Sequence, residues 1–272
     1  MTPMTVSPAH LHARTLGNVA PLLIPLAIAL VFVVAPWDLD AKLALALSGV
    51  CAQRPGHSFF VQGAPMALEA RMLGIFAGFA LTVAAAWLAG GWRRAELPRG
   101  LPAIAFALMI VALGVDGLNA LLFDSGMPHL YSPSNELRLA TGLLGGLALA
   151  ALIAPVVSWA FWRQRQSVPL LASWPDVIRA LVCLGAFGLV VISGAPGRPV
   201  LSLLALASAV GSFWFVNTYL SVILWQGAGD ADDWGDLAWS GAVGFLLTAG
   251  ELAGLAALRS WAETSFGFVY AF

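Results

Sequence analysis

The sequence predicts an all-α polytopic transmembrane helix bundle, and three observations lead to this fold class. The chain of 272 residues is 60% hydrophobic and only 10% charged, whereas a soluble domain carries about 25% charged residues. Its mean hydropathy is +0.87. Its apolar residues are gathered in runs of about 20, which is the length that a helix needs to cross a bilayer. These features exclude a soluble enzyme and a disordered protein.

Seven apolar segments are predicted to span the membrane. They cover residues 18–36, 67–90, 101–123, 137–162, 177–194, 200–225 and 237–258. Residues 41–50 are apolar but too short to span, and we expect them to form a re-entrant or interfacial helix. No low-complexity linker divides the chain. We therefore expect residues 1–272 to form a single integral membrane domain with additional spans at 177–258.

The arginines predict an orientation, because basic residues favour cytoplasmic loops. Three of them lie in the loop at 91–100 and two in the loop at 163–175, with Arg14 in the N-terminal segment. This places the N-terminus in the cytoplasm and the C-terminus outside. Lys42 is the single lysine, a bias that favours a GC-rich bacterial genome and hence a bacterial inner membrane.

The partners that the totals predict are a lipid bilayer and no nucleic acid. The net charge is -1, so no basic field exists to attract phosphate backbones. The two cysteines, Cys51 and Cys183, form neither a disulfide framework nor a CxxC pair.

One segment outside the spans combines five kinds of polar chemistry. Between residues 51 and 58 a thiol, an amide, a guanidinium, an imidazole and a hydroxyl follow one another closely. The residues are Cys51, Gln53, Arg54, His57 and Ser58. A connecting loop needs no such set, so we interpret this segment as functional.

More polar residues are predicted to reach the same membrane side, because the second and fourth spans begin there and the third ends there. They are Glu69, Arg71, Asp116, Asn119, Asn135 and Arg138. Asp116 is about seven residues from the end of its span, roughly 10 Å deep at 1.5 Å per residue. An ionised carboxylate at that depth needs a partner, and either Arg71 or Arg138 is suited to the role.

Two interpretations of this cluster stay open. In the first, the arginines hold a small anionic or lipid-linked ligand through a phosphate or carboxylate. Cys51 or His57 then acts as nucleophile or base. In the second, the charges only pair with one another and fix the packing of the helices. The cofactor remains unknown in either case.

Glu251 lies well inside the seventh span, and an intramembrane carboxylate is a functional candidate by default. Asp116 and Glu251 have similar predicted depth, so a proton-coupled transporter is an alternative function. An accessory or assembly subunit of a membrane complex is a third, because no recognised catalytic motif is present.

The spacing of residues 51–146 resembles the DUF2085 family, bacterial and archaeal membrane proteins of unknown function. The family pattern begins Cys-His-Gln, continues through Pro-x-Arg/His-Ser-Phe and a Gly, and leads to Cys-x-Arg-Cys-Thr-Gly-Ile-Tyr-x-Gly. A later stretch carries Asp-Gly and Asn-x-x-Arg-x-x-Thr-Gly. The matching residues are Cys51, Gln53, Pro55, His57, Ser58, Phe59, Gly63, Arg71, Gly74, Ile75, Gly78, Asp116, Gly117, Asn135, Arg138, Thr141 and Gly142.

The departures from the family pattern affect the metal chemistry that the resemblance implies. Three cysteines and a histidine would suit a tetrahedral zinc or redox site. Here the family's Cys-His is Cys51-Ala52, and its Cys-x-Arg-Cys is Glu69-Ala70-Arg71-Met72. A mixed-ligand metal site of Cys51, His57 and Glu69 is still conceivable. Redox chemistry between two cysteines within this group is excluded, because one thiol remains.

Overall fold

The computed structural model describes residues 20–267, and within them the chain is a bundle of α-helices. The helices are α1 (Leu23–Val34), α2 (Leu39–Ser48), α3 (Ala70–Leu88), α4 (Leu101–Asp124), α5 (Asn135–Phe161), α6 (Trp174–Ser193), α7 (Arg198–Ser221) and α8 (Ala238–Phe266). A π-helical segment, Val222–Gln226, continues α7. The all-α fold class predicted from the sequence is confirmed.

Six of these helices, α3 to α8, are long and apolar enough to cross a membrane. The first predicted span differs, because α1 contains only 12 residues after a 3-10 turn at Ala20–Leu22. At 1.5 Å per residue such a helix covers about 18 Å, which is less than a bilayer core of about 30 Å. Proline restricts both of its ends, at Pro21 and Pro36. The predicted short helix at 41–50 is α2.

Helices α3 and α5 form the centre of the bundle and touch through their backbones. A Cβ at Gly74 would meet the Leu139 carbonyl oxygen and the Gly142 Cα, and a Cβ at Gly146 would overlap the Ile75 carbonyl oxygen. The absence of side chains at these glycines allows the close approach. Helix α4 packs against α5, with most of its length exposed at the outside of the bundle.

The alternating helices bring two sets of loops to opposite ends of the bundle. One end, called the site end below, carries residues 49–69, 125–134 and 194–197. It includes the hairpin of β1 (Phe60–Val61) and β2 (Ala64–Pro65). The opposite end carries a parallel pair, β3 (Arg94–Glu96) and β4 (Gln166–Pro169). Tryptophan rings pack together there, among them Trp92, Trp162 and Trp234.

Candidate functional site

The loop at 49–69 is fixed to the bundle by buried polar contacts. Gln53 has a left-handed backbone, φ 60°, which is uncommon for a residue other than glycine. Its side-chain amide donates to the carbonyl oxygens of Ala44 at 2.8 Å and Ala67 at 3.0 Å. Arg259 of α8 donates to the Cys51 carbonyl oxygen at 2.7 Å. Gln53, predicted to bind a ligand, therefore holds the loop in place.

Cys51 lies inside this loop as a buried thiol. Its Sγ accepts hydrogen bonds from the backbone N–H groups of Glu69 at 3.2 Å and Gln53 at 3.4 Å. Burial raises the pKa of the Cys51 thiol. A nucleophilic cysteine needs an accessible thiolate, so this geometry favours a structural role for Cys51.

Arg54 connects the loop to the end of α4 through two carboxylates. Its Nε lies 3.1 Å from Glu69 Oε1, and its Nη1 lies 2.9 Å from Asp124 Oδ2. The Glu69 carboxylate also accepts a hydrogen bond from the Arg54 backbone N–H. Burial raises the pKa of Glu69, but the nearby His57 ring and the hydrogen bonds and positive charge of Arg54 outweigh burial and lower the pKa to about 2.

His57 is buried between these same carboxylates. Its Nε2 lies 3.1 Å from Asp124 Oδ2. Its Nδ1 lies 3.6 Å from Glu69 Oε2, beyond hydrogen-bonding distance, and has no hydrogen-bond partner within residues 20–267. A neutral ring that donates from Nε2 to Asp124 would turn the Nδ1 lone pair toward another acceptor. His57 is therefore incompletely satisfied.

Arg138, at the start of α5, is the cation of the cluster that lacks a carboxylate of its own. It is only 4% exposed. Its Nη1 donates to Asn135 Oδ1 at 2.9 Å and to the Gly56 carbonyl oxygen at 3.3 Å. Its Nη2 lies 3.4 Å from His57 Nε2, and its buried Nε has no partner within the described residues.

Neutral groups hold Arg138 and its surroundings in position. Asn135 accepts from Arg138 and donates to the Ser58 carbonyl oxygen at 3.0 Å. The Ser58 hydroxyl donates in turn to the Arg54 carbonyl oxygen. In the part of the chain that the structure describes, Arg138 forms no salt bridge. The hydrogen bonds of Asn135 and Ser58 connect the loop at 49–69 to α5.

Arg71 and Asp116 form a separate ion pair in direct contact. Arg71 Nη2 lies 2.6 Å and Nε 3.1 Å from Asp116 Oδ2. The second carboxylate oxygen accepts from the Tyr131 hydroxyl at 2.9 Å, and Oδ2 also accepts from Thr141. Of the two predicted partners for Asp116, the structure selects Arg71. The pair joins α3, α4 and α5.

Asn119, one turn after Asp116, positions the loop that follows α4. Its side-chain oxygen accepts from the backbone N–H of Leu130 at 2.7 Å, and its amide donates to the Tyr131 carbonyl oxygen at 2.9 Å. These contacts bring the Tyr131 hydroxyl to Asp116. Asn119 therefore acts on the loop backbone.

The structure does not support the mixed-ligand metal site of Cys51, His57 and Glu69. Among residues 20–267, no group of three His, Cys, Asp or Glu side chains is arranged to hold a metal ion. The Cys51 thiol receives the backbone N–H of Glu69, and the Glu69 carboxylate faces Arg54. With the carboxylate engaged by a guanidinium, the ligand set does not converge.

Glu251 lies apart from the site-end cluster, on α8 in the middle of its span. Its Oε2 accepts from the Asn217 amide at 3.0 Å, and the same amide contacts Thr248 Oγ1 at 3.1 Å. Within residues 20–267, Asp116 and Glu251 share no hydrogen-bond partner. The transporter alternative, which rests on these two carboxylates, stays a prediction.

Two residues of the site were not identified from the sequence. Tyr131, in the loop after α4, donates its hydroxyl to Asp116 Oδ1 at 2.9 Å. Asp124 is the last residue of α4 and joins Arg54 to His57. The position of Asp124 at the end of α4 could have identified it. A carboxylate at the C-terminus of a helix interacts unfavourably with the helix dipole and needs a compensating cation.

The six spanning helices and the sequence match together define a multi-pass membrane protein. Residues 51–152 match the model of DUF2085, a family described as predicted membrane proteins. The matched range holds the whole site-end cluster and extends to the middle of α5, which confirms the resemblance seen in the sequence. No curated protein and no solved structure matches the chain.

Proposed function

We propose that this membrane protein binds the anionic group of a small or lipid-linked ligand at the site end. Arg138, His57 and Arg54 would hold the anion. The observation that carries the proposal is Arg138, a buried cation without a carboxylate partner within the described residues, beside a buried His57 whose Nδ1 is unpaired. A buried charge is expensive unless it is paired.

The Asp124 carboxylate indicates the kind of group that fits. It receives Nη1 of Arg54 and lies against Nε2 of His57, so these donors already hold one carboxylate. The Asp124 side chain is 26% exposed and that of Arg54 38%. Ion pairs this exposed are weak, and a carboxylate or phosphate of a ligand can exchange with Asp124 at little cost.

The surroundings of Asp124 favour an amphiphilic ligand. Asp124 ends α4, and α4 presents exposed apolar side chains along its outer face, including Leu118 and Leu121. An acyl or isoprenoid chain could lie along this face while its anionic head replaces Asp124. Because the Cys51 thiol is buried and held by backbone N–H groups, the proposal is binding without covalent attack.

Calorimetric titration of the purified protein with inorganic phosphate and with dihexanoyl phosphatidic acid tests this function. We expect binding that Arg138→Gln weakens at least tenfold and that Asp124→Asn strengthens, because the competing carboxylate is removed. The control is Arg163→Gln, an exposed arginine at the opposite end of the bundle.

The two probes separate the possible sources of the anion. Binding of both with similar affinity identifies a free anion site, whereas binding of phosphatidic acid alone identifies a lipid site. Equal affinities for wild type, Arg138→Gln and Arg163→Gln would contradict the proposal, and so would the absence of binding to a folded protein.

A further inference from the structure

Helix α8 carries a carboxylate on the outer surface of the bundle, in the middle of the membrane. Glu251 is the fourteenth residue of a helix that runs over Ala238–Phe266, so it lies roughly 20 Å from either helix end at 1.5 Å per residue. Its side chain is exposed. Polar groups at such depth normally face the interior of the bundle.

Among the described residues, only one oxygen of the Glu251 carboxyl accepts a hydrogen bond. Asn217 of α7 donates to Oε2. Within residues 20–267, no hydrogen bond reaches Oε1, and Glu251 forms no salt bridge. Lipid chains offer neither donors nor acceptors, so the free side of this group requires a protein partner.

The residues around Glu251 form one exposed stripe along α8. It consists of Leu247, Glu251, Gly254, Leu258 and Trp261, each of them exposed. Their spacing of four, three, four and three residues places them on one face of the helix. Gly250 flanks the stripe, and a Cβ at either Gly250 or Gly254 would meet no atom within 4 Å.

A comparison within the chain shows how such glycines are used. Gly74 of α3 and Gly142 of α5 belong to pairs with the same four-residue spacing, and both are covered by backbone of the facing helix. Gly250 and Gly254 repeat the spacing on a face of α8 that residues 20–267 leave exposed. The same close packing is therefore available to a helix from outside the chain.

We propose that the α8 stripe binds the α8 stripe of a second copy of this chain, forming a two-fold symmetric dimer. In hydrocarbon the neutral carboxyl is the cheaper form, and it carries both a donor and an acceptor. Two Glu251 side chains across a two-fold axis satisfy one another reciprocally. The glycines allow the helices to approach closely enough for these side chains to meet.

A second copy suits the stripe better than a partner that supplies a cation. Asn217 already donates to one oxygen, and a neutral carboxyl at this position would carry an O–H that needs an acceptor. The identical group provides that acceptor without placing a second charge in the bilayer. The flanking Leu247 and Leu258 are likewise self-complementary apolar contacts.

Cysteine cross-linking in native membranes tests the position of the interface. With Cys183 replaced by alanine, Leu258→Cys and Gly254→Cys are expected to give a cross-linked dimer. The control is Gly185→Cys, at an exposed glycine of α6 that also has open space around it. Equal cross-linking at positions 185 and 254 would overturn the proposal.

Dilution of labelled protein in liposomes, followed by energy transfer, tests the chemistry of the contact. Glu251→Leu is expected to weaken dimerisation by a factor of about 5 to 30, which corresponds to one interhelical hydrogen-bond pair. Glu251→Gln retains a donor and an acceptor and should dimerise like wild type. A monomer at every lipid ratio, or unchanged dimerisation of Glu251→Leu, would overturn the proposal.

Discussion

Arg71 and Arg138 lie at the same end of the bundle on neighbouring helices, but their surroundings differ in one respect. Two nitrogens of Arg71 contact a carboxylate, since Nη2 lies 2.6 Å and Nε 3.1 Å from Asp116 Oδ2. Arg138 is more deeply buried, yet its contacts are a backbone oxygen, an amide oxygen and an imidazole. The first arginine is paired with a carboxylate in direct contact, whereas no carboxylate of the described residues contacts the second.

This difference separates a structural ion pair from a candidate binding group. The Arg71–Asp116 pair joins three helices, and both oxygens of its carboxylate accept hydrogen bonds within the chain, from Arg71, Tyr131 and Thr141. Arg138 keeps an unpaired Nε and stands beside a histidine with an unpaired Nδ1. Clustering of charges in the sequence could not distinguish the two cases, because both arginines belong to the same pattern.

The largest expected effect comes from breaking the satisfied pair. Asp116→Ala leaves Arg71 without its carboxylate at a partly buried position and should lower the free energy of unfolding by about 3–5 kcal/mol. Thermal unfolding in mild detergent measures the loss. The matched comparison is Arg71→Met combined with Asp116→Leu, which removes both charges and should recover most of the stability. A double variant as unstable as Asp116→Ala would contradict the structural role of the pair.

The fold could be predicted further than the site, for a physical reason. Hydrophobic runs of about 20 residues identify spanning helices directly, and α3 to α8 begin near the predicted bounds. Helix α8 continues to Phe266, well beyond its predicted end at residue 258. The partner of a charge depends on rotation and register between helices, which the sequence does not state. The sequence therefore offers two arginines as partners of Asp116, and in the structure Arg71 of α3 is the one that contacts it.

The sequence also did not predict the short length of α1 or the role of Gln53 in the loop at 49–69. The apolar run at 18–36 predicts a span, but α1 ends before Pro36 with 12 residues. Gln53 appeared suited to a ligand, but its amide satisfies two backbone carbonyls that the tight loop leaves unpaired. The orientation of the chain in the membrane stays a prediction, and Arg14, His10 and His12 lie outside the described residues.

The Glu69 carboxylate gives the second prediction, a loss of stability in acid. Its pKa of about 2 in the folded protein lies below the ordinary value of 4.5. The stabilisation is therefore complete above about pH 4.5 and is lost as the pH falls toward 2, by up to about 3 kcal/mol. Unfolding measured across this range should show the loss in wild type and a flatter profile in Glu69→Gln.

Glu136 provides the control for the acid transition. It is exposed in the first turn of α5 and forms no salt bridge within the described residues. Glu136→Gln should leave the pH profile of wild type unchanged. A profile that flattens equally in both variants would mean that the Arg54–Glu69 contact is not the source of the acid sensitivity.

The smallest effect on stability is expected at Arg138, the residue on which the binding proposal depends most. Arg138→Gln removes a buried cation without stranding a carboxylate, so unfolding in mild detergent should change by no more than about 1 kcal/mol in either direction. A loss of 3 kcal/mol or more, like that of Asp116→Ala, would show that Arg138 is as necessary to the fold as Asp116. A small change in stability combined with a large loss of phosphate or phosphatidic acid binding would sharpen the distinction, because it would show that the protein keeps this charge for a ligand.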